Sequence, residues 1–345
     1  MRLLQNTPIL LKYIYVITGI FQLTSQKRPF LCYLPFYVIY AYLCYVYSTT
    51  PRGYNPTFII LDIFTTIQNV AFIIICIICF HKRRSSLSDV LIQIDTIERT
   101  LTFGKKYDSD WCSKTLLITL LLSPFIFVPF FHSPLIMMIY PTFPMTLNCF
   151  EIFFLHDILE KFLGSFQAIN EEIKTMNVQF GKKSLQRVQD LSSIHFTLVT
   201  LAMKICENFE VTLIAFLVLW LETTIETVYF MVVLMARGST WVLTYVCNGI
   251  NVMYYFFWLY VVVKIFARVQ SEANGTSELV HDMWRKHTRK GLVKRMRPLQ
   301  LVSVGLLNNK LRFRARGTFD LNWTFCHTMV AAVTTYVVIL VQFDI

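Results

Sequence analysis

Charge is what this chain has least of. Asp, Glu, Lys and Arg make up only 15% of its 345 residues, and just 21 of them are acidic. A soluble domain carries about 25% charged residues, so a water-exposed globular fold is excluded. Catalytic signatures are missing too. No Gly-rich phosphate loop, nucleophile elbow or His-Glu-x-x-His stretch occurs, and His132, His156, His195 and His327 lack partners at motif spacing. An enzyme is therefore unsupported, and no cofactor is implied. The nine cysteines are scattered and build no disulfide framework. Cys76 and Cys79 form a CxxC beside His81, but a second ligand pair is missing, so the reading is packing residues in a reducing cytosol, with no metal.

What is present is hydrophobic length. Hydrophobic residues reach 55% and mean hydropathy is +0.52, the mix of an all-α polytopic membrane protein. Seven transmembrane helices are expected, at 30–48, 57–80, 115–138, 142–163, 207–232, 241–267 and 321–343, each near or above the roughly 20 residues a span requires. Pro124, Pro129, Pro134, Pro141 and Pro144 interrupt the third and fourth. Of the 32 Lys and Arg residues, 4 lie in 1–29, 7 in 81–114, 6 in 159–206 and 12 in 268–320. The alternate loops hold only Arg52 and Arg237, and Lys264 sits near the inner end of the sixth span. Cytoplasmic loops retain positive charge, so the N-terminus is expected inside and the C-terminus outside. That orientation is opposite to a G-protein-coupled receptor. It also sets the net charge of +11 against anionic inner-leaflet lipid, without any need for nucleic acid.

Four regions follow: a cytoplasmic segment at 1–29, helices 1–6 with their loops at 30–267, a basic cytoplasmic segment at 268–320, and the last helix with the extracellular C-terminus at 321–345. The apolar run Ile9 to Phe21 is interrupted by Lys12 and followed by no small-residue cleavage site, so it reads as a helix on the inner membrane face rather than a secretory signal. Long helices are expected to project inward, over Phe150 to Ile173 and over Lys182 to Cys206 running into the fifth span. Two more are expected at Ser277 to Lys290 and Pro298 to Leu307, flanking the basic run Lys294-Arg295-Met296-Arg297. The sequons at Asn274-Gly275-Thr276 and Asn322-Trp323-Thr324 fall on the inner side and should stay unmodified.

The chain ends Thr335-Tyr336-Val337-Val338-Ile339-Leu340-Val341-Gln342-Phe343-Asp344-Ile345. Thr-Tyr, five apolar residues and Gln-Phe resemble the C-terminal signature of insect gustatory receptors. Leu311-Arg312-Phe313 followed by Gly317-Thr318-Phe319-Asp320-Leu321-Asn322 resembles the pattern leading into their last helix. The motif-level resemblance covers residues 311–343, and the architecture matches over most of the chain. It implies a tastant-gated, non-selective cation channel in the plasma membrane of gustatory neurons. It also implies a homo- or heterotetramer with other gustatory receptors, held by a packed cytoplasmic anchor. The partners would be a small-molecule tastant, permeant cations and membrane lipid. The sugar-receptor branch often has Glu after the signature Tyr, where this chain has Val337.

Helical spacing puts Thr335, Ile339 and Gln342 on one stripe of the last span, with Tyr336, Leu340 and Phe343 on the next. Four copies around an axis would line a path with rings of Thr335, Ile339 and Gln342. In the related receptors the Gln and Phe sit at the outer constriction, so those roles pass to Gln342 and Phe343. Tyr336 is expected to pack between helices. Interhelical hydrogen bonds within one subunit are the other reading of Thr335 and Gln342, and Asp344 either biases the mouth toward cations or is a solvated end. The family's ligand pocket lies in the outer half. Candidates there are Gln68, His132, Glu151, Glu222, Glu226, Tyr229, Trp241, Tyr245, Asn248 and Tyr255. Glu222 and Glu226 are one turn apart and suit a cationic ligand, unless Asn248 or Thr223 satisfies them. A secondary transporter is the alternative, although no internal duplication is evident. A G-protein-coupled seven-helix receptor is another, with the opposite orientation.

Overall fold

The computed structural model describes residues 89–101 with Leu87 and the isolated positions 63, 67 and 71, and then 135–344 apart from 179–181, 237, 239–241, 289–296, 316 and 318. The first expected span, nearly all of the second and most of the third lie outside these residues. The described chain is helical except for one small hairpin. In chain order it holds α1 (89–101), α2 (Leu135–Val178), α3 (Lys182–Ala236), α4 (Val242–Thr288), α5 (Arg297–Asn308), β1 (Arg314–Ala315), β2 (Phe319–Asp320) and α6 (Trp323–Asp344). Among these, α3, α4 and α6 are each long and apolar enough to cross a bilayer.

At two expected boundaries the described chain is continuous helix. No break falls between 138 and 142, because α2 starts at Leu135 and runs through Pro141 and Pro144. Each proline removes one backbone donor from the ladder, a loss that packed membrane helices tolerate. The separate helix expected from Ser277 is the end of α4, which continues from Val242 through Gly275 to Thr288. A mid-helix glycine costs about 1 kcal/mol, and here its neighbours compensate: the Asn274 side chain bonds Leu311, and the Thr276 hydroxyl bonds Asn170. The helical extensions expected of the fourth and fifth spans are present, as is α5 where Pro298 to Leu307 was expected.

Cross-contacts give the helix directions. The Tyr254 hydroxyl meets Cys149 Sγ at 3.8 Å toward one end of α2 and α4, and Asn170 meets Glu272 toward the other, so these helices run parallel. Between them α3 runs antiparallel, because His195 lies beside Ala273 and Trp220 beside Tyr255. In–out alternation of successive spans requires this arrangement. The core is rich in aromatics: Phe153, Phe154, Phe162, Phe166, Phe209, Phe216, Trp220, Tyr229 and Trp258 are all fully buried.

The two halves are held by different physics. In the inward extensions, burial of Phe166, Ile169, Ile173, Val188, Leu191 and Leu198 removes apolar surface from water, roughly 1.5–3 kcal/mol for each large side chain. In the spans, lipid is as apolar as the core, so close packing and interhelical hydrogen bonds do the holding. Helix α1 joins the inner half. Leu87, Val90, Ile94 and Leu101 are buried at helical spacing, and Glu98 pairs with Lys161 of α2 at 3.6 Å.

Candidate functional site

The segment before α6 is a built collar. Gly317 takes φ +70° at the turn of the hairpin, where a Cβ would be strained by the backbone alone. Arg314 pairs with Asp320 and Ala315 with Phe319 across it, and Arg314 Nε donates to Asp320 Oδ1 at 2.9 Å. The Leu321 amide donates to the Phe313 carbonyl at 3.0 Å. Asn322 then caps α6, its Oδ1 accepting the Phe325 amide at 3.0 Å. Two ring pairs pin the collar, with Phe313 edge-on to Phe266 of α4 at 4.9 Å and Phe319 stacked on Phe325 at 4.4 Å. The sequence motif leading into the last helix is thus a hairpin followed by an N-cap.

The most apolar 18-residue stretch of α6 has a mean hydropathy of 1.8, yet only 11% of it is buried by the rest of its own chain. Val333 and Val337 are buried, and Cys326, Met329 and Val341 pack beside them on the same stripe. Thr335, Ile339 and Gln342 lie on the opposite, exposed face. The Thr335 hydroxyl donates to the Ala331 carbonyl at 3.0 Å and Thr334 to Val330 at 3.1 Å, so both satisfy their donors without a partner helix. Tyr336, expected to pack between helices, is 53% exposed in the protomer. Its ring falls just off the packed stripe. Phe343 belongs to the last turn of α6.

Of the ligand-pocket candidates, Gln68, His132 and Trp241 lie outside the described residues. Glu222 and Glu226 are half-buried on α3, and Tyr255 of α4 lies within electrostatic range of both and of Cys149. Trp220 ties this region together by donating Nε1 to the Tyr255 carbonyl at 2.7 Å, with Phe256 edge-on at 5.3 Å. Thr223, considered above as a partner for the carboxylates, donates instead to the Leu219 carbonyl at 2.6 Å. Tyr229 is fully buried in α3, and Glu151, Tyr245 and Asn248 are half-buried. Glu222 and Glu226 of α3 and Tyr255 of α4 therefore share one electrostatic neighbourhood, where Trp220 joins the two helices.

Sequence reasoning missed a buried polar junction in the inner half. Asn170 donates Nδ2 to the Glu272 carbonyl at 3.0 Å and to its Oε1 at 2.8 Å, and accepts from the Thr276 hydroxyl at 2.6 Å. His195 Nε2 meets the Ala273 carbonyl at 2.9 Å and its ring lies edge-on to Phe166 at 5.2 Å. Burial holds the His195 imidazole below its ordinary pKa, although the Ala273 contact opposes this. Asn274 reads the Leu311 backbone from both sides: Nδ2 donates to its carbonyl at 3.1 Å and Oδ1 accepts its amide at 2.9 Å. A glycan on that nitrogen would have to sit against fully buried Leu311. The signal was a run of polar residues inside an otherwise apolar helical pattern. His156, Asp157 and Glu160 bring ligand atoms within 4.8 Å of one another. They span little more than one turn of α2 and His156 already faces Glu160 at 4.0 Å, so the grouping carries no metal assignment.

The sequence matches the family described as 7tm chemosensory receptor over residues 10–345. The chain belongs to that family. Its fold is similar to that of the insect olfactory receptor OR5 from Machilis hrabei, with TM-score 0.57, 14% identity, and coverage of 97% of this chain and 98% of that one. Against the same receptor in complex with eugenol the TM-score is 0.52 at 13% identity, again over 97% and 98% of the two chains. No curated protein matches the sequence. The family is one of receptors or channels rather than enzymes.

Proposed function

We propose that this chemosensory receptor is a gustatory-type, tastant-gated, non-selective cation channel of the plasma membrane, with four copies placing α6 around a central pore. The observation that carries the reading is the division of α6 into two faces. Val333 and Val337 hold it to its own chain, while Thr335, Ile339 and Gln342 face away. A lone protomer leaves a polar amide and two threonine oxygens on a bare face. A four-fold assembly gives that face an aqueous path. Rings of Thr335 oxygens and Gln342 amides would then coordinate ions neutrally, and the Ile339 ring would gate by wetting. Phe343 takes the outer constriction with Gln342, and Tyr336 packs against the α6 of an adjacent subunit.

The tastant site of this reading is the outer group of Glu222, Glu226 and Tyr255, with Tyr229, Tyr245, Asn248 and Glu151 on the surrounding walls. Carboxylates beside aromatic rings favour a small organic cation. The terminal Thr-Tyr to Gln-Phe signature supports a gustatory rather than an odorant role. The test is ligand-evoked current in a null cell, comparing wild type with Gln342→Ala at matched surface expression. Altered ion selectivity or gating is expected. Loss of surface protein in the variant would instead mean that Gln342 is a packing residue.

A further inference from the structure

One stripe of α4 is exposed on both sides of half-buried Phe257, and its chemistry changes with depth. Val246, Ile250 and Met253 are exposed apolar residues, with Met253 71% exposed. Two turns beyond Met253 on the same stripe come Tyr260, Lys264 and Arg268, four residues apart and all exposed. The order is apolar, aromatic, then cationic, and it runs toward the cytoplasmic end of the helix. Lys264 Nζ lies 5.1 Å from the centre of the Tyr260 ring. Trp323, the first residue of α6, is 44% exposed and its ring centroid is 5.7 Å from that of Tyr260.

Among the described residues no ion pair reaches these cations. Neither Lys264 nor Arg268 pairs with a carboxylate. Glu272, one turn beyond Arg268, is held by Asn170, and Asp320 of the hairpin is held by Arg314. Two unpaired cations beside two interfacial aromatics, with an apolar strip on the membrane side, match one amphiphile end to end. Acyl chains would cover Val246 to Met253, the glycerol region would meet the rings, and a phosphate would meet the cations.

We propose that Tyr260, Lys264, Arg268 and Trp323 form a docking site for an anionic glycerophospholipid of the inner leaflet. The apolar strip selects a lipid over a free phosphate ion, which would leave Met253 and Ile250 uncovered. Because Trp323 begins α6, the bound headgroup touches the foot of that helix. The assignment rests on the inside location of this end of α4, and it does not require that the protein conduct ions.

The test uses the purified full-length protein in mixed micelles with dansyl-phosphatidylserine, reading energy transfer from tryptophan. Unlabelled phosphatidylserine should displace the probe, while phosphatidylcholine and soluble glycerophosphoserine should not. Lys264→Gln with Arg268→Gln should weaken binding ~25-fold, and Arg268→Gln alone ~5-fold, from about 1 kcal/mol per basic residue near the surface. The charge-preserving pair Lys264→Arg with Arg268→Lys should bind as wild type. Arg268 is exposed and has no ion-pair partner among the described residues, so the single variant remains informative if the double variant misfolds. Equal displacement by phosphatidylcholine, competition by glycerophosphoserine, or undiminished binding in Arg268→Gln would each overturn the proposal.

Discussion

Asn274→Ala tests the logic of the inner half most directly. The side chain makes two hydrogen bonds to one backbone unit, at 2.9 and 3.1 Å to the amide and carbonyl of Leu311. Leu311 is fully buried, so truncation leaves a donor and an acceptor that water cannot reach. An orphaned buried polar group costs about 1–3 kcal/mol. With some relaxation, the pair should cost about 2–4 kcal/mol. For a chain of this size that corresponds to a drop in Tm of about 4–8 °C, at roughly 2 °C per kcal/mol. The assay is thermal unfolding of the detergent-purified protein, followed by loss of the monodisperse chromatographic peak. Asn274→Asp separates the two bonds, because a carboxylate still accepts the Leu311 amide but faces the Leu311 carbonyl with a second acceptor. It should be at least as damaging as alanine at pH 7. A shift below about 1 °C for both variants would refute the claim that this clasp secures the hairpin to α4.

Other perturbations probe neighbouring steps of the same chain of argument. Gly317→Ala should cost about 1–2 kcal/mol from backbone strain at φ +70° alone, since nothing lies within 4 Å of the added Cβ; Gly317→Asn should recover part of the lost Tm. Trp220→Phe removes a 2.7 Å bond to the Tyr255 carbonyl and should lower stability by about 1 kcal/mol, while shifting ligand potency in the current assay. His195 titrates below its ordinary value in the folded state, so the unfolded chain binds the proton more readily. Its stabilisation is therefore complete above about pH 6.5 and falls as pH drops below that value. Tm measured at pH 7.5 and 5.5 should differ less in His195→Gln than in wild type.

Helix periodicity made α5, α6 and the inward ends of α2 and α3 legible, because each carries an apolar repeat of more than three turns. The same criterion applied to Leu87, Val90, Ile94 and Leu101 would have found α1, but the seven basic residues of 81–114 drew attention to charge instead. Proline and glycine misled in opposite ways. Pro141 and Pro144 suggested a boundary, although a membrane helix can absorb the lost donors; Asn274-Gly275 suggested a loop, although tertiary hydrogen bonds from Asn274 and Thr276 hold the helix there. At the candidate site, spacing alone separated the Thr335, Ile339 and Gln342 stripe from its neighbours. It could not reveal that Val333 and Val337 face the protein, since valines two faces apart look identical in sequence. Nor could spacing pair Glu222 and Glu226 with Tyr255, which comes from another helix.

The attachment of α6 is uneven along its length, and that has a mechanical consequence. Its foot is held by directional bonds: the Asn322 cap, the Leu321 to Phe313 bond, and a hairpin clasped through Leu311 to Asn274. Beyond Met329 the contacts of its packed stripe are apolar side chains, chiefly Val333 and Val337. Dispersion contacts shift over a few tenths of an ångström at small cost, whereas a buried hydrogen bond resists loss by 1 kcal/mol or more. A rearrangement of α3 around Glu222 and Glu226 would therefore tilt α6 about its foot and displace its far end most. Gln342 and Phe343 occupy that end, and Thr335 lies between pivot and tip. A cross-link that fixes the foot should leave ligand-evoked current intact, and one that fixes the Val337 level to α3 should abolish it.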